Sequence, residues 1–585
     1  MPISLPSFVL LFAIYVLLPL CCFSLYHREP AYFRFTHNAT DIPIEEEYDY
    51  IVIGGGTAGC PLAATLSEKF SVLLLERGGM GQLHPDLMTQ GGFLPNLMAT
   101  DRYESPAQAF ISEDGVRNAR GRVLGGSSAI NAGFYSRAED EFFKKTDPIV
   151  WDMNLVNRSY EWVEKAIVFR PALRLWQSAV RDSLLDANVT PYNGYTVKHT
   201  AGTKIGGSLF DRAGRRHSAA DLLKYAKKGN IKVALHASVE RVLIGAVAGT
   251  AAGTTGGGGD DGSHGGGRCG GNGDRSGRGD LKQSAIGVIY RDRKGQLHHA
   301  MVREKGEVIL SAGALGSPQL LLLSGVGRHS YLSSLGIPFA HDSPFVGQFL
   351  YDNPRSSVSF LSPVPLETSL IQVVGITDEG AYIEAASNLL PIFRSSGFGF
   401  FSPSSPVYLP VASLMEKVVG PLSVGDLRLV STDVRDNPAV RFNYLSHPRD
   451  LSRCVAGVRK IGEVLMGRSM DEFKFPMGRR GRGFRFVGPS PPPNMADDEA
   501  LADFCRRTVT TIWHYHGGCV AGKVVDGEFR VIGVGALRVV DGSTLSVSPG
   551  TNPQATLMML GRYVGRRLIN ERKRALRSAC HKSHN

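Results

Sequence analysis

Three hydrophobic patterns alternate along the chain, and each predicts a different element. Short unbroken apolar runs closed by glycine, an acid or serine (Tyr50 to Ile53, Val72 to Leu75, Val308 to Leu310) read as strands buried on both faces. From Trp151 to Leu185 the apolar residues recur every three or four positions (Trp162, Ala166, Phe169, then Leu173, Trp176, Val180, Leu184), which predicts helix with its aromatics in the core. Alternation marks IKVALHASVERVLI from Ile231, whose hairpin partner is expected at Ala285 to Arg291, and TVTTIWHYHGGC from Thr508 to Cys519. In that last run His514 and His516 stand two apart, so an uninterrupted strand would turn both to one face. They could serve catalysis or only fill a core.

The first two buried runs belong to one unit, YDYIVIGGGTAGCPLAATLSEKFSVLLLERGG, Tyr48 to Gly79. Gly54, Gly56 and Gly59 have the GxGxxG spacing between a strand and a helix pattern through Leu62, Ala63 and Leu66. The first glycine permits the tight turn, the second lets backbone N–H groups approach a pyrophosphate, and the third lets the helix pack closely. The helix N-terminus offers unpaired N–H groups to phosphate, and Glu76, closing the second strand, can accept from ribose hydroxyls. A dinucleotide site is the reading; glycines serving only packing are the alternative.

Two further stretches require close backbone approach. GRVLGGSSAINAGFY, Gly121 to Tyr135, has small residues throughout and Asn131 as a hydrogen-bonding side chain. EVILSAGALGSPQLLLLSGVG, Glu307 to Gly327, reads as a buried strand, a Ser-Ala-Gly-Ala turn, and a helix with Pro318 in its first turn that ends by Gly325. Gly245 to Ser284 is dominated by glycine and is expected to be a disordered loop inside a hairpin, with His264 and Cys269 not ligating metal. Phe345 to Phe473 mixes short β-like runs and loops, and Met477 to Asn494 reads as a surface loop.

Length and charge narrow the picture. The 585 residues exceed one compact core and predict two associated domains. The net charge of +11 is dispersed except at Arg479 to Arg485 and from Arg562 to Lys582; with no nucleic-acid motif beside it, it reads as a solvated basic surface. Leu5 to Phe23 is almost wholly apolar and is read as a signal peptide (residues 1–24), a retained membrane anchor being the alternative. Sequons at Asn38, Asn157 and Asn188 agree with secretory passage, and the six cysteines beyond the leader show no zinc spacing.

Together the motifs resemble the glucose-methanol-choline (GMC) oxidoreductases. GGGTAG, Gly121 to Tyr135, Gly313 to Gly327 and VVDGS all match, and HYHGGC with SYEWVEKAIVFRPALRLWQSAV resembles the plant HOTHEAD-like branch, related to flavin-containing mandelonitrile lyases. The resemblance implies an α/β fold. A Rossmann-like FAD-binding domain, discontinuous in sequence, joins an α+β substrate domain whose antiparallel sheet roofs the flavin. The expected boundaries are 45–345 for the main FAD part, 346–500 for the substrate domain and 501–575 for a C-terminal catalytic segment.

By motif, Thr57 and Ala58 would lie at the pyrophosphate, Glu76 and Arg77 at the ribose, and Val239 near adenine. Val123, Ser127, Asn131, Ala132, Gly133 and Phe134 would line the isoalloxazine, with Trp513, His514, Asp541, Gly542, Pro553 and Gln554 closing the site. Some relatives attach FAD through a histidine where this chain has Ile130, so FAD is expected to be non-covalent. His514 would be the base and Asn552 would hold the substrate oxygen while hydride passes to flavin N5. The resembled lyases carry histidine at position 552 and tyrosine at 512, where this chain has Asn552 and Ile512, which favours alcohol oxidation. Lyase chemistry, or a flavin-binding protein without turnover, are the alternatives. The resemblance further implies a Cys454–Cys505 disulfide, with Cys60 simply buried. The expected partners are a small-molecule alcohol, with a long-chain ω-hydroxy fatty acid as the class that the HOTHEAD-like resemblance implies, and an unidentified electron acceptor. No metal, nucleic acid or lasting membrane span is expected, and the location is extracellular, in the cell wall or apoplast.

Overall fold

The computed structural model describes residues 30–101, 103–248, 281–378, 380–392, 407–478 and 481–582. The apolar leader, most of the glycine-rich segment, and His264 and Cys269 lie outside them.

Buried runs form the centre of the first sheet. Its order is Thr36–Asn38, Ile231–Leu235, Val72–Glu76, Glu45–Ile53, Leu297–Leu310, Leu281–Arg291, Ser238–Ala248, with Leu537–Val539 pairing beside Leu297–Leu310. The strands from Thr36 to Leu310 pair in parallel, Leu537–Val539 joins in parallel, and the last two make antiparallel hairpins. A parallel centre must be covered on both faces. One cover is the helix Gly59–Leu66, wholly buried, and the long closing helix Gln554–Lys582 lies against it. Their close approach depends on Gly561 and Gly565, where a side chain would overlap Ala58 or Thr65.

The run from Ile231 departs from expectation. It is not one strand: His236 takes φ 56° and splits it into Ile231–Leu235, paired with Val72–Glu76, and Ser238–Ala248, paired across the sheet with Leu281–Arg291. The hairpin continues through Ala248 and Leu281, so both ends of the expected loop are paired strand.

A second sheet of eight strands runs in the order Arg485–Phe486, Pro354–Leu361, Val407–Val418, Ala381–Ile392, Val373–Ile376, Gly202–Ile205, Tyr192–Tyr195, with Thr510–Thr511 added to Pro354–Leu361. All of its pairings are antiparallel except Tyr192–Tyr195 with Gly202–Ile205. On the outer face Val358, Phe360, Ile383, Ala385, Ala412 and Leu414 pack against helices Leu175–Asp186, Pro448–Met466 and Asp498–Thr508. The last two helices are joined by the Cys454–Cys505 disulfide, while Cys60 and Cys519 are free and buried.

Three local readings are corrected. The segment Trp151 to Leu185 forms two helices, Met153–Ile167 and Leu175–Asp186, separated by the extended Val168–Arg174. The helix after Leu310 begins at Gly313, so Pro318 lies inside it rather than in its first turn. Arg485–Phe486, expected in a loop, pairs with Phe360 and Leu361 at the sheet edge.

Candidate active site

A cavity of about 630 Å³ runs between the two sheets, within the ~300–1,000 Å³ of small-molecule sites. The glycine loop forms one wall. Gly54 turns with φ 103°, and a side chain there would overlap Ser311. A Cβ on Gly59 would overlap the Gly54 carbonyl, whereas one on Gly56 would meet nothing nearer than 3.8 Å, because that backbone faces open space. The Gly121 to Tyr135 loop docks on the first: Gly125 N–H donates to the Gly55 carbonyl at 2.7 Å, and Gly126 abuts Gly56. Two glycine turns therefore meet over a concave surface lined by backbone.

Glu76 lies at one end with Val239. It is buried, burial raises its carboxyl above the usual range, and it accepts from Gly55 N–H at 2.9 Å and Gly78 N–H at 2.8 Å. Each oxygen keeps an accepting lone pair. Asp541 is tied inward, accepting from Gly313 N–H, Ser317 Oγ and Ser543 N–H at 2.9, 2.5 and 2.7 Å, which fastens the second strand-to-helix junction to the C-terminal segment. Asn131 and Gln554 make a similar clamp: Asn131 Nδ2 donates to Gln554 Oε1 at 2.9 Å, and Gln554 Nε2 donates to the Phe134 carbonyl.

At the other end the chain does not run as the alternating strand expected from Thr508. Thr510–Thr511 pairs with Pro354–Arg355 and His516–Gly517 pairs with Leu350–Tyr351, but between them Trp513 takes φ 60° and the segment bulges. The two histidines consequently part. His514 lines the cavity, whereas His516 turns away and stacks on Tyr351 with ring centroids 5.2 Å apart. Asp352 holds the bulge, accepting from Thr511 Oγ1, Tyr444 Oη and His514 N–H at 2.6, 2.6 and 2.8 Å. Burial pushes its carboxyl up to about 7, against those three donated bonds.

Asn552 faces His514, with Nδ2 3.5 Å from Nε2. His514 Nδ1 and Asn552 Oδ1 are buried with no hydrogen-bond partner in the protein. Burial holds the imidazole well below its ordinary pKa, reinforced by Lys417, His516 and Arg355, so the ring is neutral at physiological pH.

Every residue expected at the cofactor or in catalysis lines this cavity except two. Gly59 lies beneath the glycine turn, and Val123, expected at the isoalloxazine, is buried in a small apolar cluster with Leu87, Ala107, Ala129 and Ile130. The backbone of Val123 bridges Gly79 in parallel.

Several cavity residues were not foreseen. Arg120 is 8% exposed, Nη2 has no partner, and among the described residues no carboxylate lies within ion-pair distance. Burial and the neighbouring Arg77 and Arg122 lower its pKa. Its position inside the Gly121 motif's lead-in was the available signal, since an arginine between small residues has no solvated face to occupy. Arg355 and Glu384 also line the cavity, projecting from the second sheet. The cradle at Gly56, the Arg120 guanidinium, whose Nε donates to Gln108 Oε1 at 3.2 Å while Nη2 has no partner, and the free polar atoms of His514 and Asn552 together fit an anionic dinucleotide with a reacting end.

The sequence matches the two GMC oxidoreductase family profiles over residues 48–355 and 421–561. The chain belongs to the GMC oxidoreductase family, and it is an FAD-dependent oxidoreductase. Among individual proteins it is 58% identical to an "(R)-mandelonitrile lyase-like" protein of Arabidopsis thaliana over 550 residues, covering 94% of each chain. It is 46% identical to sinalpyl alcohol oxidase Nec3 of Nesocodon mauritianus, covering 93% of this chain and 92% of that one, and 42% identical to protein HOTHEAD of Arabidopsis thaliana, covering 92% and 90%. The fold is shared with formate oxidase of Aspergillus oryzae, at a TM-score of 0.69 and 18% identity, covering 91% of this chain and all of that one.

Proposed function

We propose that the chain oxidises the carbinol carbon of an alcohol, with His514 as the base and Asn552 as the group that orients the substrate oxygen. The observation that carries this reading is the convergence of a neutral, buried imidazole and an amide at the end of a cavity whose other end is a dinucleotide cradle. FAD, when bound, supplies the two-electron acceptor for the hydride of the carbinol carbon. The glycine turns, the Thr57 and Ala58 backbone and Arg120 would hold its diphosphate, with Glu76 and Arg77 at the ribose and Val239 beside adenine. His514 takes the hydroxyl proton and becomes cationic, which the low-dielectric surroundings disfavour before substrate deprotonation and which the developing alkoxide offsets. Asn552 donates to the same oxygen and fixes the hydrogen to be transferred. Ile130 offers no nucleophile, so the cofactor is held without a covalent link. Anaerobic addition of an alcohol panel to the purified protein should bleach the visible flavin band; absence of bleaching across the panel rejects the reading.

Lyase chemistry has one observation in its favour, the cationic surroundings made by Arg355 and Lys417 near His514. It lacks proton carriers at Ile512, which lines the cavity as a hydrocarbon, and at Asn552, which does not ionise. Benzaldehyde release from mandelonitrile measures this alternative. The substrate class suggested by the HOTHEAD-like resemblance is a long-chain hydroxy fatty acid, while similarity to an alcohol oxidase keeps aryl alcohols in the same panel.

We also propose secretion to the cell wall or apoplast. Asn38, Asn157 and Asn188 are all exposed, and a Cys454–Cys505 disulfide suits an oxidising compartment. No helix among the described residues is long and apolar enough to cross a membrane. A mass shift on enzymatic deglycosylation of plant-expressed protein tests the pathway.

A further inference from the structure

The inner face of the second sheet carries charged residues that are buried rather than solvated. On strand Ala381–Ile392, Tyr382, Glu384 and Ala386 face inward, while Ile383 and Ala385 join the outer core. The neighbouring strands place Lys417 opposite Tyr382 and Met415 opposite Glu384, and Arg355 lies opposite Lys417 on the far side. Burying ions on a sheet face is unfavourable unless they are paired or used.

Glu384 is fully buried, lines the cavity, and neither of its carboxylate oxygens has a hydrogen-bond partner. Its nearest cation, Lys417, stands off at 3.7 Å, beyond a hydrogen bond, with Nζ over the Tyr382 ring at 3.6 Å. Arg355 gives its hydrogen bonds to Thr510 Oγ1 and Met415 Sδ instead. The lysine therefore balances the charge of Glu384 without using its lone pairs. The same strand leads to the reacting end: Tyr382 Oη shares a hydrogen bond with Thr551 Oγ1 at 3.0 Å, and Thr551 precedes Asn552. Glu384 is two residues further along, about 7 Å at ~3.4 Å per residue.

We propose that Glu384 is a specificity-determining residue that accepts a hydrogen bond from a second hydroxyl on the substrate, so that the preferred substrates are hydroxylated alcohols, a diol or a hydroxyaryl carbinol, rather than plain alkanols. This inference rests on the alcohol-oxidising reading given above. The second hydroxyl meets an acceptor that nothing in the protein satisfies, and a substrate lacking it leaves a buried carboxylate dry. A hydrogen bond to a charged group discriminates by roughly ten- to a hundredfold.

The test compares 4-hydroxybenzyl with benzyl alcohol, and 1,6-hexanediol with 1-hexanol, on the flavin-loaded enzyme. Steady-state turnover with an artificial dye as electron acceptor gives kcat and KM for each alcohol, and anaerobic mixing gives the flavin bleaching. The unsubstituted enzyme should favour the hydroxylated member of at least one pair by about tenfold or more in kcat/KM. Glu384→Gln should shrink that ratio mainly through KM, and the charge-neutral pair Glu384→Met with Lys417→Met should abolish it while still binding FAD. A ratio near one in the unsubstituted enzyme overturns the inference, as does a ratio that survives both variants. Loss of FAD from Glu384→Gln overturns it too, because the carboxylate would then serve the cofactor. If no alcohol bleaches the flavin at all, the alcohol-oxidising reading has failed; if bleaching occurs without discrimination, only the role of Glu384 has.

Discussion

Asp352 offers the sharpest test of how His514 is held. Its carboxylate takes three donated bonds, one from the backbone N–H of His514 itself, at the point where the strand from Thr510 bulges away from its partner. In Asp352→Ala the Thr511 and Tyr444 hydroxyls can rotate toward each other, but the His514 N–H is fixed and buried. Orphaning that one donor costs about 1–3 kcal/mol. The lost charge-assisted bonds add to this, and relief of the buried carboxylate's desolvation, which holds its pKa at about 7, offsets part of it. A net loss of about 2–4 kcal/mol is expected for alanine, on the order of a buried hydrogen-bond network. Asparagine keeps one accepting oxygen and should cost about half as much, on the same scale. Its kinetic effect should be larger, because displacing a catalytic group by about 1 Å can lose ~100-fold in rate. Urea denaturation of both variants and stopped-flow flavin reduction by Asp352→Asn measure the two effects, with the limiting reduction rate falling and the substrate dissociation constant steady. If Asp352→Ala denatures at the wild-type midpoint, or Asp352→Asn reduces flavin within threefold of wild type, Asp352 does not set the position of His514.

Other outcomes follow from the same geometry. His516 is buried and its pKa is held down to about 4, so the unfolded chain takes up a proton below its ordinary ~6.5 while the folded one does not. Stability should therefore fall as pH drops from 6.5 toward 4, by about 3 kcal/mol from this residue at ~1.4 kcal/mol per unit, and urea midpoints of His516→Gln should show a shallower acid slope. A slope equal to wild type would remove His516 from the acid response. Opening the Cys454–Cys505 bond, which closes a loop of 51 residues, should cost about 4 kcal/mol on the chain-entropy scale, read from denaturation of the double Cys→Ser variant. Ile512→Tyr combined with Asn552→His should gain benzaldehyde release from mandelonitrile; no release would mean that these two positions do not separate lyase from oxidase.

The parts legible in the sequence are those whose requirement is local. The spacing of Gly54, Gly56 and Gly59 and the small residues around Gly125 and Gly126 each lie within a dozen residues, so the motifs are visible even though Ser311 and the docking of one loop on the other complete the geometry. The resemblance added what spacing could not, the preference for His514 over His516. Alternation misled there, because Asp352, some 160 positions earlier, bends the strand at Trp513. Glu384, Lys417 and Arg355 were invisible for a related reason. A polar residue every second position reads as a solvated face, and only the register of three strands with the first sheet beneath them turns that face into a wall. Val123 failed in the opposite sense: it lies in a motif that touches the cavity, but its side chain points into the Leu87 and Ile130 cluster.

If His514 is the base at the reacting end of a flavin site, removing its imidazole must slow flavin reduction without releasing the flavin. The most direct measurement is anaerobic reduction of the FAD-loaded His514→Ala protein by the best alcohol of the panel. The variant should stay yellow, bind FAD as wild type does, and be reduced about 100- to 10,000-fold more slowly, the range for losing a general base. Reduction at the wild-type rate, or an unsubstituted protein that takes up no FAD, would contradict it.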